Sequence, residues 1–212
     1  MIMNLIRLLV TGLLVLGSTS CAGRLFSSTP PAYFEVNYPF QAVDCGGSIR
    51  ARVRVWPFSA SPPFDRDQMI VLSPSRQVHF SSRYRWISPP GDMVSDRILR
   101  DMAMDNLFTK VFAAVNPSRA SAEMSGHIFR FAVEDFGDRA RVVLESEVTL
   151  YRDKPRAQIL FKKHYVMEGT PTASPDPQYF AESASELVAE LSARLRGDLC
   201  TMLKDSSFQD GD

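Results

Sequence analysis

The chain has no net charge: Lys and Arg together number 24, Asp and Glu 24. Without a net basic field it has no means of concentrating nucleic acid, and that partner class falls away. Histidine is scarce. His79, His127 and His164 stand singly on separate segments with no ligand spacing among them, and read as solvated or satisfied strand residues, not metal ligands. Gly46-Gly47-Ser48 lacks the Lys-Ser/Thr of a phosphate-binding loop, which excludes a nucleotide-hydrolysing subunit. No Gly-x-Ser-x-Gly elbow is present. Glu145 and Glu147 fall on one strand face, as a solvated pair would. With no catalytic constellation, the chain reads as a non-enzyme without cofactor or metal.

Long apolar runs are also missing. The longest, Leu8–Leu16, is far below the ~20 residues that a membrane-spanning helix needs. Arg7 is the only charge before it, and Gly17-Ser18-Thr19-Ser20 leads into Cys21. A basic end, a short apolar middle and small residues up to a cysteine read as a bacterial lipoprotein signal, with Cys21 the lipidation site. Ser18 stands where such signals usually carry leucine. The expected organisation is a signal peptide over 1–20, a lipid-anchored tether over 21–32, one domain over 33–204 and a disordered polar tail over 205–212. Fully extended, residues 22–32 reach roughly 35–40 Å. Ala22 is not the aspartate that retains lipoproteins at the inner membrane, so the expected address is the periplasmic face of the outer membrane.

With Cys21 lipidated, two cysteines remain in a disulfide-permissive compartment. Cys45 and Cys200 lie near opposite ends of the domain, so a bridge would close a long loop. A pair of buried free thiols is the alternative. Hydrophobic content of 45% suffices for a core.

Alternation predicts strands at Tyr33–Tyr38, Ile49–Trp56, Gln68–Leu72 and Gln77–Trp86. Three more follow, around Phe129–Val133, Val142–Leu150 and Ile159–Tyr165, in antiparallel hairpin order. A helix opens after Ser88-Pro89-Pro90-Gly91 with Asp92 as N-cap and buries Val94, Ile98 and Met102. Leu107–Val115 suggests a second short helix or turn. The last helix has Asp176 as N-cap and Pro177 as its first residue. Its stripe of Phe180, Ala184, Leu187, Leu191, Leu195, Leu199 and Met202 faces the sheet, or else a partner. The expected fold class is α/β: a two-layer domain with a mixed, largely antiparallel sheet and a long C-terminal helix.

Two features carry candidate function. Arg50, Arg52 and Arg54 alternate with buried residues and end at Trp56, giving a one-sided basic strip. It reads either as a solvated or edge-guarding charged face or as a contact for an acidic partner or anionic headgroups. Trp86 beside Pro89-Pro90 closes the core, or serves as an interface anchor.

Tyr33–Pro39, Pro62-Pro63-Phe64-Asp65-Arg66, the Arg85-Trp86-Ile87-Ser88-Pro89 turn into a helix, and then Leu107, Phe108 and Val111 occur in an order that resembles the ABC-type transport auxiliary lipoprotein component family, which includes paraquat-inducible and mammalian-cell-entry (MCE)-associated lipoproteins. The resemblance implies an anticodon-binding-like α/β fold. It also implies a non-enzymatic lipoprotein accessory, alone or as a homo-oligomer, whose partners are an MCE-domain protein and ABC transporter components moving lipids or hydrophobic compounds across the Gram-negative envelope. A periplasmic carrier holding a lipid between helix and sheet is the alternative.

Overall fold

The computed structural model describes residues 30–152, 157–173 and 176–205, the side chains of 202–205 excepted. The chain divides into two units, Met1–Pro30 and Pro31–Asp212. Cys21, the signal segment and tail residues 206–212 lie outside the described residues.

The second unit has nine strands and two helices among its described residues. They run β1 (Ala32–Phe34), β2 (Ile49–Val55), β3 (Ser59–Ala60), β4 (Gln68–Leu72), β5 (Val78–Trp86), α1 (Pro90–Met104), β6 (Phe108–Ala113), β7 (Ala122–Asp135), β8 (Ala140–Arg152), β9 (Gln158–Glu168) and α2 (Pro177–Asp205). β7 is the hub. β8 pairs along almost its whole length, from Glu123↔Tyr151 to Asp135↔Ala140, and β9 follows antiparallel on β8. On the other side of β7, three short strands run parallel to it in succession: Val53↔Ala122 from β2, Ser59↔His127 from β3, and Val71↔Val133 from β4. The stretch from β2 to β4 therefore behaves as one interrupted strand laid along β7. Beyond it the sheet forks, with β6 parallel on β2, and β5 antiparallel on β4 followed by β1 parallel on β5. The sheet is antiparallel in its long hairpins and parallel in its short pairings, and the two-layer α/β class read from the sequence is the observed one.

Both helices cover one face. Val53 and Val55 of β2, Leu144, Val148 and Leu150 of β8, Val94, Ile98 and Met102 of α1, and Leu187, Leu191, Leu195 and Leu199 of α2 form one buried cluster. α2 starts as its sequence signals require: the Tyr179 N–H donates to Asp176 Oδ1 at 2.7 Å, capping the first turn. On the opposite face the loop after β3 folds back, and Phe64, Ile70 and Ala132 make a second, small apolar cluster.

Three expectations need correction. Asp92 is not the N-cap of α1. The helix begins at Pro90, after Pro89 in an extended conformation, and Asp92 sits in the first turn, where its charge complements the helix dipole. Leu107–Val115 holds a strand, not a second helix. Asn106 takes a left-handed conformation (φ 53°) that ends α1, and the Ile49 N–H donates to Leu107 O to begin a β2–β6 ladder in which local propensity yields to sheet pairing. The first strand stops at Phe34, because Asn37 and Tyr38 spend their hydrogen bonds on the helices.

Residues 35–48 form a strap across the helix layer. The Asn37 N–H donates to Ser185 Oγ of α2 (3.0 Å), and Tyr38 Oη donates to Asp101 Oδ2 of α1 (2.9 Å). Arg196 of α2, only 1% exposed, donates to Gln41 O (3.0 Å) and to Asp105 Oδ2 of α1, while the Val43 N–H donates to Asp105 Oδ1 (3.1 Å). Cys45 and Cys200 are joined in a disulfide, with Cα atoms 5.4 Å apart across 155 residues of sequence. In the chain-entropy picture, closing so long a loop contributes up to about 5 kcal/mol.

Two predictions test this packing. A Cβ at Gly126 of β7 would sit inside the van der Waals envelope of the Phe58 ring. Gly126→Ala should therefore cost about 1–3 kcal/mol, read as a lower thermal midpoint; an unchanged midpoint would show that the ring moves freely. Burial, then the neighbouring Asp101 carboxylate, hold the Tyr38 phenol well above its ordinary pKa of 10.0. Burial and the hydrogen bond to Asp198 do the same for Tyr165. A phenol raised in the folded state stabilises below the unfolded pKa and loses that stabilisation as pH climbs above it. Stability should fall above about pH 10. Tyr38→Phe should lower stability near neutral pH by about 1–2 kcal/mol yet fall less steeply in alkali, as urea unfolding across pH 8 to 11 would measure.

Candidate functional site

The alternation of β2 turns Ala51, Val53 and Val55 toward the helices and Arg50, Arg52 and Arg54 outward, with Trp56 following. β2 pairs with β6 along its length and with β7 at Val53–Val55, which makes it an interior strand and corrects the edge-guarding reading, while Arg50 and Arg52 keep the solvated face that the sequence equally allowed. The strip is divided in two by what its members touch.

Arg54 is built into the surface. Its Nη1 donates to Glu123 Oε1 (3.1 Å) and its Nη2 to Ser118 O (2.7 Å), and its guanidinium carbon lies 5.9 Å from the Trp56 ring and 5.5 Å from the Phe112 ring. Trp56 Nε1 donates to Glu123 Oε2 at 2.8 Å, and Tyr151 Oη donates to the same oxygen at 3.2 Å. One carboxylate of β7 thus holds three side chains, two from the end of β2 and one from β8, and Trp56 remains 38% exposed as the rim of this assembly. Glu123 and Tyr151 reach it because β2, β7 and β8 are adjacent and Glu123↔Tyr151 is a register pair.

Arg50 and Arg52 are exposed and free of such ties. The backbone at Arg52 is fixed from the β6–β7 loop: its N–H donates to Ser121 Oγ (2.9 Å) and its carbonyl accepts from the Ser121 N–H (2.8 Å). The β2–β6 register sets Lys110 beside Arg52, and exposed Arg119 lies two residues before Ser121 in that loop. Among the described residues none of Arg50, Arg52, Lys110 and Arg119 has a carboxylate partner, although fourteen ion pairs are made elsewhere. Sequence reading found the two arginines and missed Lys110 and Arg119. Lys110 becomes a neighbour only once 108–113 is known to be a strand parallel to β2.

The other singled-out residues go elsewhere. Trp86 is 5% exposed, with its ring 5.2 Å from Phe131, and serves the core with no face left for a partner. Cys45 and Cys200 belong to the strap and α2. His127 has both ring nitrogens engaged, Nδ1 with Ser59 Oγ (2.8 Å) and Nε2 with Ser61 Oγ (3.1 Å), and His164 Nε2 lies 3.2 Å from Glu145. Among the described residues no three metal-capable groups converge. A pocket between sheet and α2, lined by Met69, Trp86, Phe131 and Phe180, offers a cavity of about 10 Å³. That is room for about one water molecule, not an acyl chain.

With this geometry in place, comparison with known families is informative. The sequence profile of the ABC-type transport auxiliary lipoprotein component matches residues 39–195, from the strap to the fifth turn of α2. The chain belongs to this family. As an ABC transport auxiliary lipoprotein it is of a class associated with ABC transport systems and anchored in the envelope. No curated protein matches its sequence. Its fold is shared with protein XCC0632 of Xanthomonas campestris, at 13% identity and a TM-score of 0.74, over 84% of this chain and 99% of that one. An uncharacterized protein of known structure matches at 12% identity and a TM-score of 0.61, over 81% and 99%.

The division of the basic strip in this auxiliary lipoprotein can be measured. Glu123→Ala should cost about 1–2 kcal/mol, because three donors lose their acceptor at a partly exposed site. Arg52→Glu should leave the unfolding free energy within about 0.5 kcal/mol of wild type. The opposite ranking would overturn the assignment of Arg54 as structural and Arg52 as free.

Proposed function

We propose that this auxiliary lipoprotein is the non-enzymatic, lipid-anchored accessory of an ABC/MCE-type system that moves lipids or other hydrophobic compounds across the Gram-negative envelope. The single observation that carries the reading is the family match across residues 39–195. The sequence before the domain supports it. Residues 1–20 act as a signal peptide, Cys21 carries the lipid, and residues 21–32 tether a domain that spans 33–204. Multiple acyl chains on one cysteine anchor stably where a single chain would not. Ala22 directs the protein to the periplasmic face of the outer membrane, and the Cys45–Cys200 bridge suits that oxidising compartment. The auxiliary component contributes position: it fixes one end of the transport assembly to a membrane and presents a docking face to it.

Two measurements test this. Cys21→Ser should move the protein from the membrane to the soluble periplasmic fraction, and continued membrane association would require a different anchor. The tagged wild-type chain, extracted in mild detergent, should co-purify an MCE-domain protein together with ABC transporter components; recovery of neither would overturn the reading.

A further inference from the structure

We infer that the free cations Arg50, Arg52, Lys110 and Arg119 form a docking surface for an extended, acidic segment of a partner protein, with Trp56 receiving an apolar residue of that segment at one end. The inference rests on the docking role proposed above and names the partner chemistry of its site.

The charge distribution carries the first step. The chain is neutral, with 24 residues of each sign. On the strands, six cations are spent on carboxylates: Arg54 on Glu123, Arg85 on Asp67, Arg130 on Glu134, Arg141 on Glu134 and Glu168, Lys162 on Glu147 and Lys163 on Asp198. Against that background four unpaired cations on one strand pair and the adjoining loop are a local surplus. The nearest carboxylate placed on this face by the strand register, Glu123, already accepts three donors. A surplus of this kind raises the encounter rate with an oppositely charged partner and fixes its orientation more than it adds affinity.

Geometry narrows the partner to a strand-like one. Arg50 and Arg52 are two residues apart on β2, where a register shift against β6 lies between Ile49 and Arg52, and in regular strand geometry such a pair stands roughly 7 Å apart. Lys110 stands beside Arg52 on the adjacent strand, roughly 5 Å away. Carboxylates on alternate residues of an extended segment repeat at the same ~7 Å. Next along β2, Arg54 is neutralised and Trp56 is a partly exposed apolar surface held by its indole hydrogen bond. The pattern that fits is acidic, x, acidic, then three residues passing Arg54, then an apolar or aromatic residue at Trp56, six positions after the first acid.

The regular spacing of the cations favours a protein segment over anionic headgroups, which carry no fixed ~7 Å repeat. The chain enters the domain at β1, whose Tyr33 pairs with Arg85 of β5, and Arg85 pairs with Gln68 of β4. Counting back from Val71↔Val133 places that entry level near Arg130 of β7, whereas Val53 of the basic strand pairs with Ala122. Eight residues of strand separate the two levels, roughly 25 Å. Entry and basic strip lie on different arms of the forked sheet.

The test uses the full lipidated chain in phosphatidylcholine nanodiscs and a fluorescein-labelled peptide, Asp-Ser-Asp-Ser-Ser-Ser-Phe, with its Lys-Ser-Lys-Ser-Ser-Ser-Phe counterpart as control. The acidic peptide should bind, weaken at least about tenfold between 50 and 300 mM salt, and weaken at least about tenfold in an Arg52→Glu/Lys110→Glu variant. Arg83→Glu, at an exposed cation on the other arm, should leave its affinity unchanged. Equal binding of both peptides, or acidic-peptide binding that the double variant retains, would overturn the inference. So would phosphatidylglycerol vesicles that bind wild type and not the double variant while the peptide binds neither, since the surface would then be a headgroup site. Co-purification of transport components decides the underlying reading separately. If wild type and double variant recover them equally, the accessory role stands and this surface is not its docking site.

Discussion

A cluster of buried charge ties the helices to the strap, and the positions of the other elements follow from it. Asp101 and Asp105 lie one turn apart on α1, and Arg196 of α2 reaches both, with its Nη2 3.9 Å from Asp101 and its Nη1 on Asp105. Arg100 takes the other Asp101 oxygen, with Nε at 2.9 Å, so two carboxylates and two guanidiniums balance. Ser192 Oγ donates to Asp101 as well, at 2.7 Å. Burying such a set gains little stability over a well-packed apolar one. Removing one member strands the rest, at a cost of several kcal/mol. Its value is specificity: only one sliding position of α2 against α1 satisfies every member.

The same groups hold the strap. Tyr38 Oη, the Val43 N–H and the Gln41 carbonyl are partners of Asp101, Asp105 and Arg196, and the Arg196 guanidinium stacks 5.5 Å from the Phe40 ring. An irregular segment that would otherwise leave backbone groups without partners is paid in hydrogen bonds by the helix interface it crosses. In crossing, it carries the chain from one arm of the sheet to the other and delivers it to β2 in register with both β6 and β7.

How far the sequence disclosed this depends on the range of the interaction. The hairpins of β7–β9, the start of α2 at Asp176-Pro177 and the inward face of α1 are local patterns and were legible. The parallel pairing of β2 with β6 was not, because Phe108–Ala113 carries no turn signal linking it to Ile49–Val55 some sixty residues earlier. The site suffered from the same gap. Alternation exposed Arg50 and Arg52, but it put Arg54 in the same class, because nothing local announces that Glu123, about seventy residues away, will neutralise it. Trp86 was open between core and interface on sequence grounds, and only its contact with Phe131 decides it. Ile159 is a smaller case: a bulge at Leu150/Tyr151 shifts the β8–β9 register and leaves it exposed where simple alternation would bury it.

The order of these features along the chain has a mechanical consequence. In the proposed assembly, with a lipid anchor at Cys21 and a partner docked on β2, load would pass through β1, then the strap, then Arg50. β1 pairs with β5 over only three residues and opposes peeling weakly. The strap opposes it through charged hydrogen bonds to two helices and, at Cys45, through a covalent link to α2. Force arriving at Cys45 is thereby diverted into a helix whose leucine stripe is packed across the sheet, and it does not reach β2 along the backbone alone. That junction lies between β1 and the register that sets Lys110 beside Arg52. A docking strand that directly follows an anchored linker would otherwise be the first element to shift when the linker is pulled.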